Sequence, residues 1–205
     1  MITMLPARFF PLVMAAVLAG CSRPLPPAGY RAYLEDPAND LTQTQEKDGI
    51  IVTCSYRPTP LLVLQDFTQA SESETSSSRD SLARAYAGKT YCAVSFSRGG
   101  SEIENAFVTD PLAYQQALAY LNNGIAADCY LATAAHDSVP ALASMYLRQY
   151  GATGRSTVLL VFNTHQLQPE DGFHLTLRAQ RLGLGSIRFP FTARALAALP
   201  ALQMD

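Results

Sequence analysis

Three groups of side chains in this sequence have the types that do chemistry. Glu102 and Glu104 stand two apart in Glu102–Val108, a stretch that reads as a strand, so both point to one face. Paired carboxylates hydrolyse glycosidic bonds when they sit about 5–10 Å apart. The chain has no tryptophan to stack on a sugar, and the plainer reading is two acids on a solvent face. His136-Asp137-Ser138 contains the residue types of a hydrolase triad. Triads are assembled in space rather than along the chain, and no Gly-x-Ser-x-Gly elbow surrounds Ser138. A polar turn before Pro140 is the expectation there. His165 and His174 can meet across a hairpin, with Glu170 or Asp171 in its loop, as a conceivable metal site. Neither stands at ligand spacing from another histidine or a cysteine, which favours two exposed imidazoles.

Asp36, Asn39, Asp40 and Asp48 offer oxygen ligands but lack the spacing of a calcium-binding loop and its closing glutamate. No phosphate-binding loop or dinucleotide fingerprint is present. No metal and no cofactor is expected, and no catalytic set is assigned. Tyr30, Tyr33, Tyr56, Tyr86 and Tyr91 are dense enough to line a groove, although aromatic residues commonly belong to the core. Cys54 shares a strand face with Ile50, Val52 and Tyr56, and Cys92 shares one with Val94 and Phe96. Both therefore read as core residues, either free or joined in a Cys54–Cys92 disulfide. With Cys129 the count after Cys21 is odd, so at least one thiol has no partner within the chain. A reactive thiolate needs an exposed, electropositive setting, and neither strand suggests one.

The elements that must position these residues are mostly strands. Ile50–Tyr56, Thr90–Ser97, Ile125–Thr133, Thr157–Phe162, Phe173–Ala179 and Ile187–Phe191 carry β-branched runs or period-2 alternation. Ala141–Tyr150 is read as a strand because turns flank it. Pro190 favours a sheet edge for the last strand. Gly99-Gly100 signals a hairpin turn returning through Glu102–Val108. Short helices are expected at Tyr30–Asp36, after Thr59-Pro60, from Asp80 to a stop at Gly88, and after Thr192. Asp110-Pro111 opens the best-marked helix, with Leu112, Ala117, Leu118 and Leu121 as its apolar stripe and Gly124 as its stop. Pro37–Gly49 and the Ser/Glu-rich run Ser71–Ser78 read as loops. The pattern does not alternate as βαβα, so the fold class is mainly β: an antiparallel, β-sandwich-like domain with a few short helices.

The first twenty residues have the three parts of a secretory signal: Arg8, an apolar run Phe9–Leu18, and small residues Ala19-Gly20. The run is about ten residues long, where a spanning helix needs about twenty. Leu18-Ala19-Gly20-Cys21 resembles the lipobox of bacterial lipoproteins. The resemblance implies cleavage before Cys21 and lipidation of that cysteine. It covers only this segment and carries no activity to the rest. The organisation is then a signal peptide over 1–20, a lipidated cysteine and proline-rich tether over 21–28, and one β-rich domain over 29–205. Ser22 follows the cysteine, where aspartate tends to retain Gram-negative lipoproteins in the inner membrane. The pattern thus resembles that of an outer-membrane lipoprotein facing the periplasm; in a Gram-positive host the same anchor lies outside the plasma membrane.

Hydrophobic residues make up 48% of the chain, enough for one core. Loss of residues 1–20 removes Arg8 alone among the charges, so the 15 basic residues become 14 against 17 acidic ones, a formal charge of −3. Such a surface gains nothing electrostatically from nucleic acid or anionic lipid, which argues against nucleic-acid binding. The membrane contact is the lipid itself, and other envelope proteins are candidate partners. The functional expectation is a non-catalytic, lipid-anchored binding or scaffolding module of the cell envelope. The alternative is an envelope hydrolase acting on a glycan or a peptide. Cells fed a clickable fatty acid should label the wild-type chain and not Cys21→Ala; equal label in both would remove the anchor.

Overall fold

A computed structural model describes residues 23–69, 76–133, 138–165 and 169–204. Nine antiparallel strands form its frame: β1 Thr42–Lys47, β2 Ile50–Tyr56, β3 Lys89–Arg98, β4 Ser101–Glu102, β5 Cys129–Thr133, β6 Ser138–Leu147, β7 Ser156–Asn163, β8 Gly172–Arg178 and β9 Ser186–Thr192. Eight of them pair in the continuous order β1-β2-β3-β7-β6-β5-β8-β9, and β4 adds to β3. The mainly β, antiparallel character expected from the sequence is present. The two facing sheets of a sandwich are not what the pairing specifies, because β6 belongs to both halves. Its first residues pair with β5, and Ala141–Leu147 pair with β7. The register shifts between Ala141 and Ala143, and such a bulge bends the strand. The sheet turns this corner and curls on itself as a nearly closed barrel.

Side chains fill the interior, as an eight-stranded barrel allows. Every second residue of a strand points inward: Val52 and Cys54 of β2, Val94 and Phe96 of β3, Leu160 and Phe162 of β7, Leu131 of β5, Leu175 and Leu177 of β8, and Phe189 of β9 are all fully buried. The outer strands β1 and β9 meet along a seam without backbone pairing. Gln43 and Gln45 bridge it instead. The Gln43 side-chain amide donates to the Pro190 carbonyl, and Gln45 Nε2 donates to the Arg188 carbonyl at 2.7 Å. The Pro190 carbonyl faces the seam, so its missing N–H does too, and the β8–β9 ladder loses no bond. This is the edge position expected of Pro190.

Five helices lie outside the barrel: α1 Pro27–Glu35, α2 Thr59–Gln69, α3 Ser76–Tyr86, α4 Pro111–Ala119 and α5 Ala193–Ala197. Asp110 caps α4 by accepting from the amides of Leu112 and Ala113, and Thr192 caps α5 through Ala195. Ala117 and Leu121 of the expected α4 stripe are buried, whereas Leu112 is exposed. A smaller core of Tyr30, Leu34, Leu41, Leu61 and Ala195 ties α1 and α2 to α5. Leu25, within the proline-rich run, bridges Leu202 in parallel.

Four expectations need correction. Pro37–Gly49 is not all loop: it contains β1, whose Thr-Gln-Thr-Gln-Glu-Lys sequence has no apolar face and whose residues are all half-buried or exposed. Glu102–Val108 is not a returning strand, since pairing stops at Glu102 and Ile103–Phe107 forms a 3-10 turn. Ile125–Asp128 is likewise a 3-10 turn, and the strand begins at Cys129. Helix α3 starts at Ser76 rather than Asp80, inside the serine-rich run; residues 71–75 of that run lie outside the described residues.

The Gly99-Gly100 hairpin turn forms as expected, with φ of 58° and 75°. It packs against Gly154 (φ +62°), where an added Cβ would sit 2.2 Å from the Gly100 carbonyl oxygen. A Cβ on Gly99 would meet nothing within 4 Å. Gly99→Ala is expected to lower stability by the left-handed strain alone, about 1 kcal/mol, and Gly154→Ala by about 3 kcal/mol or more through strain plus collision. Urea midpoints of the two variants check the difference.

Candidate functional site

The outer face of β1, β2, β3 and β7 forms a groove of about 1360 Å³. Because the apolar half of each strand faces the barrel interior, the polar half faces the groove. Nine of its lining side chains carry hydroxyls: Thr42, Thr44, Thr53, Ser55, Ser95, Ser97, Thr153, Thr157 and Thr192. They are arranged in cross-strand pairs. Thr44 and Thr53 hydroxyls lie 3.0 Å apart, and Ser95 and Thr157 lie 2.9 Å apart. Thr42 Oγ1 donates to the Leu34 carbonyl at 2.8 Å and lies 3.0 Å from Ser55 Oγ. Such pairing holds the rotors in place while leaving lone pairs toward solvent. Glu35, Asp40, Arg57 and Arg155 also line the groove, and their formal charges cancel. Among the described residues no aromatic ring lines it. Its length along β2, from Ile51 to Arg57, is about 20 Å at the usual strand rise. The groove can make many hydrogen bonds to an extended, polar ligand. Among the described residues that line it, no nucleophile is hydrogen-bonded to a base.

The Gly99-Gly100 turn and the loop between β6 and β7 close one end. Ser97 Oγ donates to the Gly154 carbonyl at 2.9 Å. Glu102 and Glu104 hold this end together from within. Both are buried, at 7% and 1% exposure, rather than on the solvent face expected of them. Glu102 Oε1 accepts from the Gly151 amide at 2.9 Å, fixing the β6–β7 loop. Glu104 accepts from the Tyr146 hydroxyl on β6 and, through its other oxygen, from the Ser156 hydroxyl on β7. Ser156 Oγ in turn accepts from the Ile103 amide at 2.9 Å. Burial, followed by the Glu104 carboxylate, raises the Tyr146 pKa and keeps the phenol protonated as a donor. Both acids are thus committed to pinning the 3-10 turn, and neither lines the groove.

The remaining candidates do not converge. His165 and His174 are not on one hairpin, because β5 and β6 lie between β7 and β8 in the sheet. His165 packs beside Gly88. His174 sits opposite Ala132 and Pro190, with Nδ1 buried and without a hydrogen-bond partner among the described residues. Burial and then the charge of Arg188 lower its pKa. Ser138 begins β6, while His136 and Asp137 lie outside the described residues. Asp36 caps a 3-10 turn through the Ala38 amide at 2.9 Å, Asn39 donates to the Tyr33 carbonyl, and Asp40 and Asp48 adopt positive φ. No group of side chains suited to a metal ion occurs among the described residues.

Cys54, Cys92 and Cys129 are buried and free, so the Cys54–Cys92 disulfide is not formed. Burial pushes the Cys54 and Cys129 thiols up, away from the thiolate a nucleophile needs. Tyr30 and Tyr91 are buried, Tyr86 donates to Asp66, Tyr33 donates to the Ala198 carbonyl, and Tyr56 packs against Phe173 and Phe191. None of these five lines the groove. Cys21 lies outside the described residues. The hydroxyl face itself was missed in the sequence. Its signal is serine or threonine at alternate positions of Thr42–Gln45, Thr53–Ser55 and Ser95–Ser97, which is legible only once β1 is recognised as a strand.

No protein-family model and no curated protein matches this chain. A solved structure from Burkholderia pseudomallei, described as a novel protein of unknown function, is similar over 86% of this chain and 94% of its own, at 8% identity and a TM-score of 0.39. Among the described residues no helix is long and apolar enough to cross a membrane.

Glu104→Ala removes the acceptor from two hydroxyls in a buried setting. It is expected to lower stability by about 3 kcal/mol, read as a fall in the urea midpoint at unchanged slope.

Proposed function

We propose that this chain is a lipid-anchored binding module of the cell envelope, holding an extended, hydrogen-bond-rich polymer in the groove outside β1, β2, β3 and β7. The observation that carries the reading is the lining: paired hydroxyls and amides of zero net charge, without a nucleophile–base pair. A polymer rich in hydroxyls and amides, such as the glycan and peptide of a bacterial wall, matches that lining donor for acceptor. The anchor at Cys21 is four residues from Leu25, which is bonded to the body through the Ala201 carbonyl and the Gln203 amide. Four extended residues span about 14 Å at most. The lipid would therefore hold the barrel close to its membrane, on the periplasmic side of an outer membrane, with scaffolding of other envelope proteins as a compatible role.

The test is co-sedimentation of the detergent-solubilised full chain with purified peptidoglycan sacculi. Filling the groove with Thr53→Trp or Ser95→Trp is expected to weaken retention at least tenfold, whereas Ser186→Trp on the exposed side of β9 leaves it unchanged. Equal retention of all variants would overturn the groove as the binding site.

A further inference from the structure

One cationic side chain of the groove, Arg57, is half-buried. Arg57 directly follows β2, and its backbone amide is fixed by the Tyr91 carbonyl at 2.9 Å. Its side chain lines the end of the groove away from the Gly99-Gly100 turn, beside Ser55 and Glu35. Among the described residues only two arginines are half-buried, Arg57 and Arg79. Arg79 stacks over the Phe67 ring at 4.7 Å. Arg57 has no ring beneath it, and no acceptor among the described residues bonds its guanidinium. The side chain is partly withdrawn from water, although its donors still reach the solvent of the groove. Burial accordingly lowers its pKa; Glu35 is near enough to oppose that shift but forms no ion pair with it, and Arg31 is near enough to reinforce it. Glu35 and Asp40 also line this end of the groove without bonding Arg57, and Thr42 and Ser55 present hydroxyls beside it.

We infer that Arg57 is an oxyanion anchor at this end of the groove, taking a carboxylate of the bound polymer in a bidentate pair. This rests on the groove reading and adds the chemistry of one subsite. A carboxylate suits the planar fork of the guanidinium, and the neutral remainder of the groove suits the hydroxyls and amides of the chain that bears it. In a wall polymer the carboxylates stand at the ends of peptide arms, so Arg57 would set where along the groove an arm ends.

The experiment compares the full chain with Arg57→Gln and Arg57→Lys on native sacculi, on sacculi whose carboxyls have been amidated, and on sacculi carrying phosphate-rich secondary polymer. Arg57→Gln is expected to weaken retention on native sacculi about tenfold, with Arg57→Lys between it and the wild type. Amidation should weaken the wild type by the same factor and leave Arg57→Gln unaffected. The urea midpoint of Arg57→Gln should equal or exceed that of the wild type, because an unpaired, shielded charge is lost; a lowered midpoint would mean a structural role and overturn the inference. Wild-type retention of Arg57→Gln on native sacculi, while Thr53→Trp still fails to bind, would reject the anchor and keep the groove. Loss of Arg57-dependent retention only when the phosphate polymer is removed would replace the carboxylate with phosphate. Failure of the wild type to sediment at all would reject groove and anchor together.

Discussion

A sheet that curls around its own core must do something with its two outermost strands. Here β1 and β9 come within side-chain reach but not backbone reach, and the amides of Gln43 and Gln45 bond the carbonyls of Pro190 and Arg188. Much of the molecule follows from this closure. The interior is sealed, so β2, β3, β7, β5, β8 and β9 can each bury a full apolar face. The seam is also protected. Proline at 190 removes a donor from β9, and glutamine side chains occupy carbonyls that another strand could otherwise pair with. A helical cap of α1, α2 and α5 covers the small second core beside the barrel, and Leu25 and Leu202 tie the two ends of the described chain together there.

The same alternation that fills the interior sets the character of the exterior. Strands β1, β2 and β3 put hydroxyls outward at alternate positions, and antiparallel register aligns Thr44 with Thr53 and Ser95 with Thr157. The hydroxyls of this face are therefore held in place, and the face is nearly neutral. Against that background the buried acids and the groove arginine differ sharply. Glu104 is enclosed with both oxygens accepting from hydroxyls, as expected of a structural carboxylate. Arg57 is partly shielded, and no acceptor among the described residues bonds its guanidinium.

Where the chain announced itself and where it did not can be traced to individual residues. Phe173–Leu177 was legible because burial of one face imposes period 2 on apolar residues, and Ile50–Tyr56 and Thr157–Phe162 because β-branched and continuous apolar runs favour extended backbone. Asp110-Pro111 was legible because capping needs a short acceptor followed by a residue without an N–H. β1 was illegible for the converse reason: at the seam neither of its faces is packed with apolar side chains, so Thr42–Lys47 reads as loop. Glu102 and Glu104 misled because carboxylates usually face water, and only partners 40 or more residues away, Tyr146, Gly151 and Ser156, make their burial tolerable. His165 and His174 misled because adjacent strands in the sequence were assumed adjacent in the sheet.

By itself, the sequence determined local matters: most of the segments that extend, where α4 and α5 start, and that Cys54 and Cys92 are core residues. Each of these depends on neighbours within a few positions, where sterics and hydrophobic periodicity act. The tertiary structure alone decided that the strands curl into a nearly closed barrel, that the paired glutamates are internal struts, and that hydroxyls from five strands share a groove with Arg57 at one end. These are relations between residues far apart in the chain, and the free energy that fixes them comes from long-range strand pairing and burial, which leave no periodic mark on any single stretch.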